Sequence, residues 1–415
     1  MSVSATAAAA ATWKPATAEQ LRDAVNQAMH SGTTMEIIGA GSRRGFGAPV
    51  TAGVTLDLSA LRGVMDYQPE ELVITLAPGT PMCEVQALLL TRRQMLSFEP
   101  PDFGPLWGLP AGRGTVGGCV MIGRGGARRL TAGAPRDHCL GVKAVNGFGE
   151  RFGAGGRVVK NVTGFDLPKL VAGSCGTLCA VTELTLKVMP APETATTLLL
   201  AGLSDEDAVR AMARALGSTA QCSSAAHLPQ DVAARSAVRA VADVGAAATL
   251  LRLEGSPPSV AARLQQLRLD MVPSPASLLD RDESAAAWRE ISDAGFFAGG
   301  DTAIWKLSVP PAAGAALARS LCDALHGRCF YDWGGGGVWL ELPSSADAHA
   351  DTVRGHLRAA GGGGHATLMR AADSVRAAVP ALQPLSPEEL RVTRAVKERF
   401  DPRGLFNPGR MGRER

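Results

Sequence analysis

The chain has 415 residues, 46% hydrophobic and 20% charged, the balance of a soluble globular protein rather than a disordered or fibrous one. That length is more than one ordinary core fills, so two or three domains are expected. A net charge of +3 gives no prior for nucleic acid or for an anionic membrane surface.

Met1–Ala11 contains no Lys or Arg, so it lacks the charged region of a secretory signal, and residues 1–15 read as a frayed, disordered terminus. No run approaches the ~18 apolar residues of a membrane span, which leaves partners as the route to any membrane. Eight scattered cysteines read as buried thiols of a reducing cytoplasm. Neither Cys175/Cys179 nor Cys322/Cys329 has zinc-ribbon or iron–sulfur spacing.

Thr17 caps a helix in which Gln20 reaches back, Leu21, Val25 and Ala28 recur at helical spacing, and Gly32 supplies the stop. Strands are predicted at Met35–Ile38, Val54–Leu58 and Leu72–Ala77, followed by a helix opening at Thr80-Pro81. Further strands at Val142–Val145, Val158–Val159 and Val181–Val188 end a first domain near Pro190. Beyond Pro192, Ala-rich helices (206–216, 260–269, 312–325) alternate with short strands (196–200, 249–253, 304–309, 330–333, 338–342). The last two form a hairpin across Gly334–Gly337, and the pattern is that of an α+β cap with helices on one face of a sheet. Ser386 and Glu389 box the start of a final helix that stops before Phe400-Asp401-Pro402.

Three glycine-rich turns fall within the first half. In Gly39-Ala40-Gly41-Ser42-Arg43-Arg44-Gly45 the glycines are misplaced for a dinucleotide fingerprint, and a strand rather than a helix follows, so the doubly wound fold is excluded. What remains is either an anion nest flanked by Arg43 and Arg44 or an ordinary turn. Thr115-Val116-Gly117-Gly118 places a hydroxyl at a helix start beside glycines that permit close backbone approach. The arginines from Gly123 to Arg136-Asp137 either pair with phosphate or face solvent. The third turn is Gly173-Ser174-Cys175-Gly176. Amides from separated turns converging on one diphosphate would make an extended dinucleotide site.

At these residues the chain resembles the vanillyl-alcohol-oxidase and p-cresol-methylhydroxylase type FAD-binding family. Within it, Phe98-Glu99-Pro100-Pro101, Arg136-Asp137-His138 and Val158 through Leu170 are similar to the glycolate oxidase E subunits, while Phe400 through Arg410 is a group-wide ending. The resemblance implies an α+β fold: a two-subdomain FAD-binding domain over 16–190, a cap over 191–385 and a C-terminal helix and tail over 386–415. It implies pyrophosphate contacts from Gly39, Ala40, Gly41, Ser42 and Arg43 and from Thr115, Val116, Gly117 and Gly118. Gly123, Gly126 and Asp137 are further cofactor-binding candidates, and Gly176 and Val181 would lie by the flavin. Ser42 occupies the place of the histidine in covalent members, so the FAD is expected to be non-covalent. Cys179 stands where glycine is usual, with Ala180 beside it, and the added side chain would crowd the backbone approach to the flavin.

Oxidation of a 2-hydroxyacid needs a cation for its carboxylate and a base or metal for its proton. The chain lacks the His-x-Gly-Asp-Gly-Asn-x-His segment of related dehydrogenases, and its seven histidines are scattered. Each reads as a surface or satisfied core residue. No catalytic residue is assigned. The resemblance implies a complex in which a sister FAD-type subunit holds the hydroxyacid site and an iron–sulfur subunit accepts the electrons. The complex would be cytoplasmic and peripheral on the inner membrane through those partners.

Overall fold

The computed structural model describes residues 11–156, 164–272, 274–361 and 363–412. The strand expected at Val158–Val159 and most of the Val158–Leu170 motif lie outside the described residues.

The first sheet is small and parallel. Met35–Ile38 and Ala11–Trp13 flank Val54–Asp57, with Met35 and Ala11 both opposite Val54. Ala11–Trp13 falls in the segment expected to fray; it is held by pairing with Val54–Leu56 and by Trp13 packing at the edge of the core. Helix Ala18–Ser31 covers this sheet through buried Leu21, Val25 and Ala28. Thr17 accepts from the Gln20 N–H, Gln20 Oε1 accepts from the Ala16 N–H, and Gly32 ends the helix at φ 67°. The C-terminal tail returns to the same edge. Met35 N–H donates to Leu405 C=O at 2.7 Å, and Asn407 N–H to Met35 C=O at 2.9 Å.

The second sheet is antiparallel, in the order Val64–Gln68, Val73–Leu76, Cys179–Lys187, Cys139–Asn146, Arg151–Gly155. Helices Met82–Thr91 and Val116–Ile122 join it around Ile74, Leu76, Val120, Val142, Leu184 and Leu186. The proline expected at the first helical position is instead the N-cap, and the Thr80 hydroxyl ties the Gly63 N–H and Ala77 C=O of the preceding loop.

The cap is one eight-stranded antiparallel sheet. Its order is 276–279, 194–201, 248–255, 224–228, 328–332, 337–342, 303–308, 365–370. The two halves are each strand–helix–strand–strand–helix–strand, and the order mirrors about the centre, where His227 pairs with Tyr331. This duplication leaves no repeat visible in the sequence. Helices Asp205–Leu216, Pro257–Asp270, Pro311–Leu325 and Ala350–Ala359 line one face, as expected. Helix Arg281–Asp293 packs Trp288 and Ile291 on the other face with Phe46, Phe103 and Ile122 of the first half, and the short helices Gln230–Ala233 and Arg239–Ala242 add Val232 and Val241 to the same cluster.

That second face docks the cap. Glu99 accepts from Arg252 Nη1 at 2.6 Å and Nη2 at 2.9 Å, and Arg128 pairs with Glu254. Burial works against the Glu254 carboxylate, but the Arg252 and Arg128 guanidinium groups outweigh it and hold the carboxyl at about 2. Trp107 Nε1 also donates to Met369 C=O at 2.6 Å.

Candidate cofactor-binding site

Between the two sheets of the first half lies a cleft with about 800 Å³ of empty space, part of it open to solvent. Of the expected residues, Gly39, Ala40, Gly41, Ser42, Arg43, Thr115, Gly117, Gly118, Gly176 and Val181 all line it. The turns converge because glycines let them touch. A Cβ on Gly39 would lie 2.3 Å from Thr115 Oγ1, and one on Gly117 would lie 2.8 Å from Pro78 Cβ.

Val116, Gly123, Gly126 and Asp137 do not line the cleft. Val116 is buried in the core of the second sheet. Gly123 ends helix Val116–Ile122 at φ 68°, and a Cβ there would come 2.8 Å from Gly173 Cα. Gly126 is packed on Glu99 C=O and receives the Trp333 indole N–H at 3.1 Å. Asp137 accepts from the Ala134 N–H at 2.8 Å at the start of a short helix. His138 is buried, with Nε2 held on Ala132 C=O at 2.7 Å.

The loops offer different things to a ligand. In the second, the amides of Val116, Gly117 and Gly118 are already taken by Thr80 C=O, Pro78 C=O and Thr115 Oγ1. Its contribution is therefore an open, Cβ-free surface rather than the amide donors expected from the sequence. In the first loop, no described residue accepts a hydrogen bond from the N–H of Ala40, Gly41, Ser42 or Arg43. Those amides remain for an anion.

Arg43 supplies the charge. Its Nη2 donates to Pro101 C=O at 2.9 Å, while Nε and Nη1 are buried and have no partner among the described residues. Two unmade guanidinium bonds cost about 1–3 kcal/mol each unless an acceptor arrives, and phosphate oxygens suit that fork. Arg44 is different, being paired with Glu36. A guanidinium with two nitrogens still to be matched, loop amides without a described acceptor and a glycine cradle fit the diphosphate of FAD.

The opposite end is apolar and is closed by residues the sequence reading left without a role. Phe46, Met121, Ile122 and Cys175 form its wall. Asn407, at φ 43°, accepts from the Ile37 N–H at 2.8 Å and donates to Cys175 C=O at 2.7 Å, so it fastens the two halves of the cleft. Arg410 donates to Arg44 and Phe46 C=O, each at 3.0 Å, and to Glu36 at 2.8 Å. Cys179 lines the cleft but is only 1% exposed, its thiol pushed up to about 12 by burial. It presents a small neutral wall.

Residues 9–155 match the model of the FAD binding domain. Glycolate oxidase subunit GlcE of Escherichia coli is 33% identical over 396 residues, which cover 95% of this chain and 97% of that protein. Glycolate oxidase subunit GlcD of Bacillus subtilis is 33% identical over 153 residues, 36% of this chain and 30% of that one. Crystalline p-cresol methylhydroxylase superposes at a TM-score of 0.73 over 97% of this chain and 88% of its own, at 16% identity, a likeness of fold alone. With a third of its residues identical along nearly the full length of both chains, the protein belongs to the family of glycolate oxidase subunit GlcE, FAD-linked oxidoreductases built on the p-cresol methylhydroxylase fold.

Proposed function

We propose that this protein is the E-type FAD subunit of a multi-subunit glycolate dehydrogenase that oxidises glycolate to glyoxylate. Its electrons pass to an iron–sulfur partner and on to a membrane quinone. The observation that carries the cofactor half is Arg43, whose two buried nitrogens, like the loop amides beside it, have no partner among the described residues. The kinship with GlcE supports the substrate and the assembly.

FAD, when bound, supplies a hydride acceptor. Residues Gly39–Arg43 hold the diphosphate, and Thr115, Gly117 and Gly118 leave room for it. Gly176 and Val181 flank the flavin end. Ser42 offers no nucleophile for a flavin bond, so the cofactor is held non-covalently. Among the described residues no helix is long and apolar enough to cross a membrane, which suits a subunit that reaches the inner membrane through its partners.

The test is to purify the chain with and without its neighbouring subunits, record the flavin spectrum, and add glycolate anaerobically. A yellow chain whose flavin bleaches with glycolate in the assembled complex supports the reading. A colourless chain, or glycolate turnover to an artificial acceptor by this chain alone at the rate of the complex, overturns it.

A further inference from the structure

One row of side chains on the cap sheet faces the flavin-binding half. Phe330, Trp339, Lys306 and Thr367 are direct cross-strand neighbours on four adjacent strands, so they stand on the same face. Trp339 meets Phe103 at 5.9 Å between ring centroids, and Arg124 Nη2 reaches Thr367 Oγ1 at 3.4 Å. Arg124 also lies 5.2 Å from the Phe46 ring centroid, and Phe46 lines the cofactor cleft. The row therefore ends beside Phe46, on the apolar lining of that cleft.

This row holds unmatched polar atoms. Lys306 is 6% exposed, with Nζ 3.9 Å from the Trp333 ring centroid and 4.5 Å from that of Trp339. Its ammonium donates to no described residue, and it does not close into an ion pair with Asp332. Asp332 is 1% exposed, and its Oδ2 is buried without a partner among the described residues. Trp339 Nε1 and Arg124 Nε likewise have none among them. Each such atom costs about 1–3 kcal/mol, and native interiors carry few of them. Burial pushes the Lys306 ammonium down to about 7 and the Asp332 carboxyl up to about 6, and the attraction between the two charges offsets only part of that. Two donors and one acceptor left unmade among the described residues, beside an ammonium held by two indole faces, describe a site rather than a core.

The structure assigns to these groups, we propose, a binding site for a small 2-hydroxy carboxylate. Arg124 and Lys306, with the Trp339 indole N–H, take the carboxylate; Asp332 Oδ2 accepts the hydroxyl; Trp333 and Trp339 close the sides and limit the size of the acid. Two cations against one carboxylate leave a net positive pocket. The hydroxyacid part of this assignment rests on the glycolate reading above, whereas the anion site rests on the geometry. The site would lie in this subunit itself, in addition to any site in a sister chain.

The test is calorimetric titration of the purified full chain, FAD-loaded and FAD-stripped, with glycolate, acetate and inorganic phosphate. Glycolate is expected to bind more tightly than acetate. Lys306→Met and Arg124→Gln should each weaken glycolate about tenfold or more with flavin content unchanged, and Lys306→Arg should retain most of the binding. Lys306→Met keeps an apolar stem against Trp333 and Trp339, and Arg124 is only partly buried, so at least one folded variant is available. Absence of glycolate heat at about 10 mM in the folded chain, or equal binding by both variants, overturns the site. Phosphate binding as tightly as glycolate and lost in the same variants overturns its carboxylate assignment. A chain that binds glycolate but holds no FAD keeps this site and removes the cofactor reading; a yellow chain indifferent to glycolate does the reverse.

Discussion

Gly39 and Thr115 are in direct contact across the cleft, with no space for a side chain between them. A Cβ on Gly39 would sit 2.3 Å from Thr115 Oγ1 and 3.2 Å from its Cγ2. Gly39→Ala must therefore push the first turn off the second while leaving both sheets intact. Flavin content, read as absorbance per protein, should fall about tenfold with far-ultraviolet dichroism unchanged. Adding Thr115→Ala removes the two worst contacts and should restore much of the flavin. Full flavin in the single variant would show that the turns can separate freely.

Arg43 separates binding from stability. Arg43→Met leaves the apo chain without two buried unmatched donors, so its melting temperature should hold or rise. FAD affinity should drop about tenfold to a hundredfold, and the remaining affinity should depend less on salt. Thermal melts with and without added FAD check both halves. A variant that melts earlier yet keeps its flavin would make Arg43 a structural residue.

How legible was this in the sequence? The cap residues Thr17 and Gly32 and the glycines of the three turns were readable because their information is local: a hydroxyl before a helix, a residue that must adopt positive φ. Lys306 beside Trp339 and Thr367 is a matter of long-range register, which no local pattern encodes. Val64–Gln68 was missed because it is an edge strand with Val64 and Met65 exposed, so it lacks alternating burial. The second turn was located correctly but given the wrong donors, since only the fold shows that Pro78 and Thr80 consume its amides. The tail motif was recognised as a signature without a role; Asn407 reaches Cys175 across 232 residues of chain.

Asn407 carries the next prediction. It must accept from Ile37 and donate to Cys175 at once, at a φ of 43° that asparagine tolerates. Asn407→Ala should cost roughly 2–4 kcal/mol in denaturant unfolding and loosen flavin binding. Asn407→Asp keeps the acceptor and loses the donor, so its cost should fall between wild type and alanine. Equal stability of all three would remove the tail from the cleft's support.

Acid should undo the docking of the cap. Glu254 is held at about 2 and Glu99 below its usual range, both by arginines that outweigh burial. Groups lowered in the fold stabilise it fully above their unfolded value, and that contribution is lost as pH falls. The melting temperature should therefore drop steeply from about pH 4.5 toward about pH 2. Glu254→Gln should cost roughly 1–3 kcal/mol at neutral pH, where it leaves Arg128 only the 3.7 Å ion pair with Glu99, and should flatten part of the acid limb. An unchanged limb would place the acid-sensitive contacts elsewhere.

Asp293 predicts the opposite sign. Burial pushes its carboxyl up to about 7; the Asp102 N–H at 2.7 Å and the charges of Arg289 and Arg43 fall short of offsetting that, and the Asp102 charge adds to it. The folded chain thus holds a proton that the unfolded chain releases from about pH 4 upward. Stability contributed by the protonated form is lost as pH rises to about 7, and the deficit stays constant beyond it. Asp293→Asn keeps an oxygen for the Asp102 N–H and removes the charge. It should raise stability by roughly 1–3 kcal/mol at about pH 8 and by little near pH 4, as followed by thermal melts across that range. Equal gains at both ends would mean that packing, rather than charge, is what the variant improves.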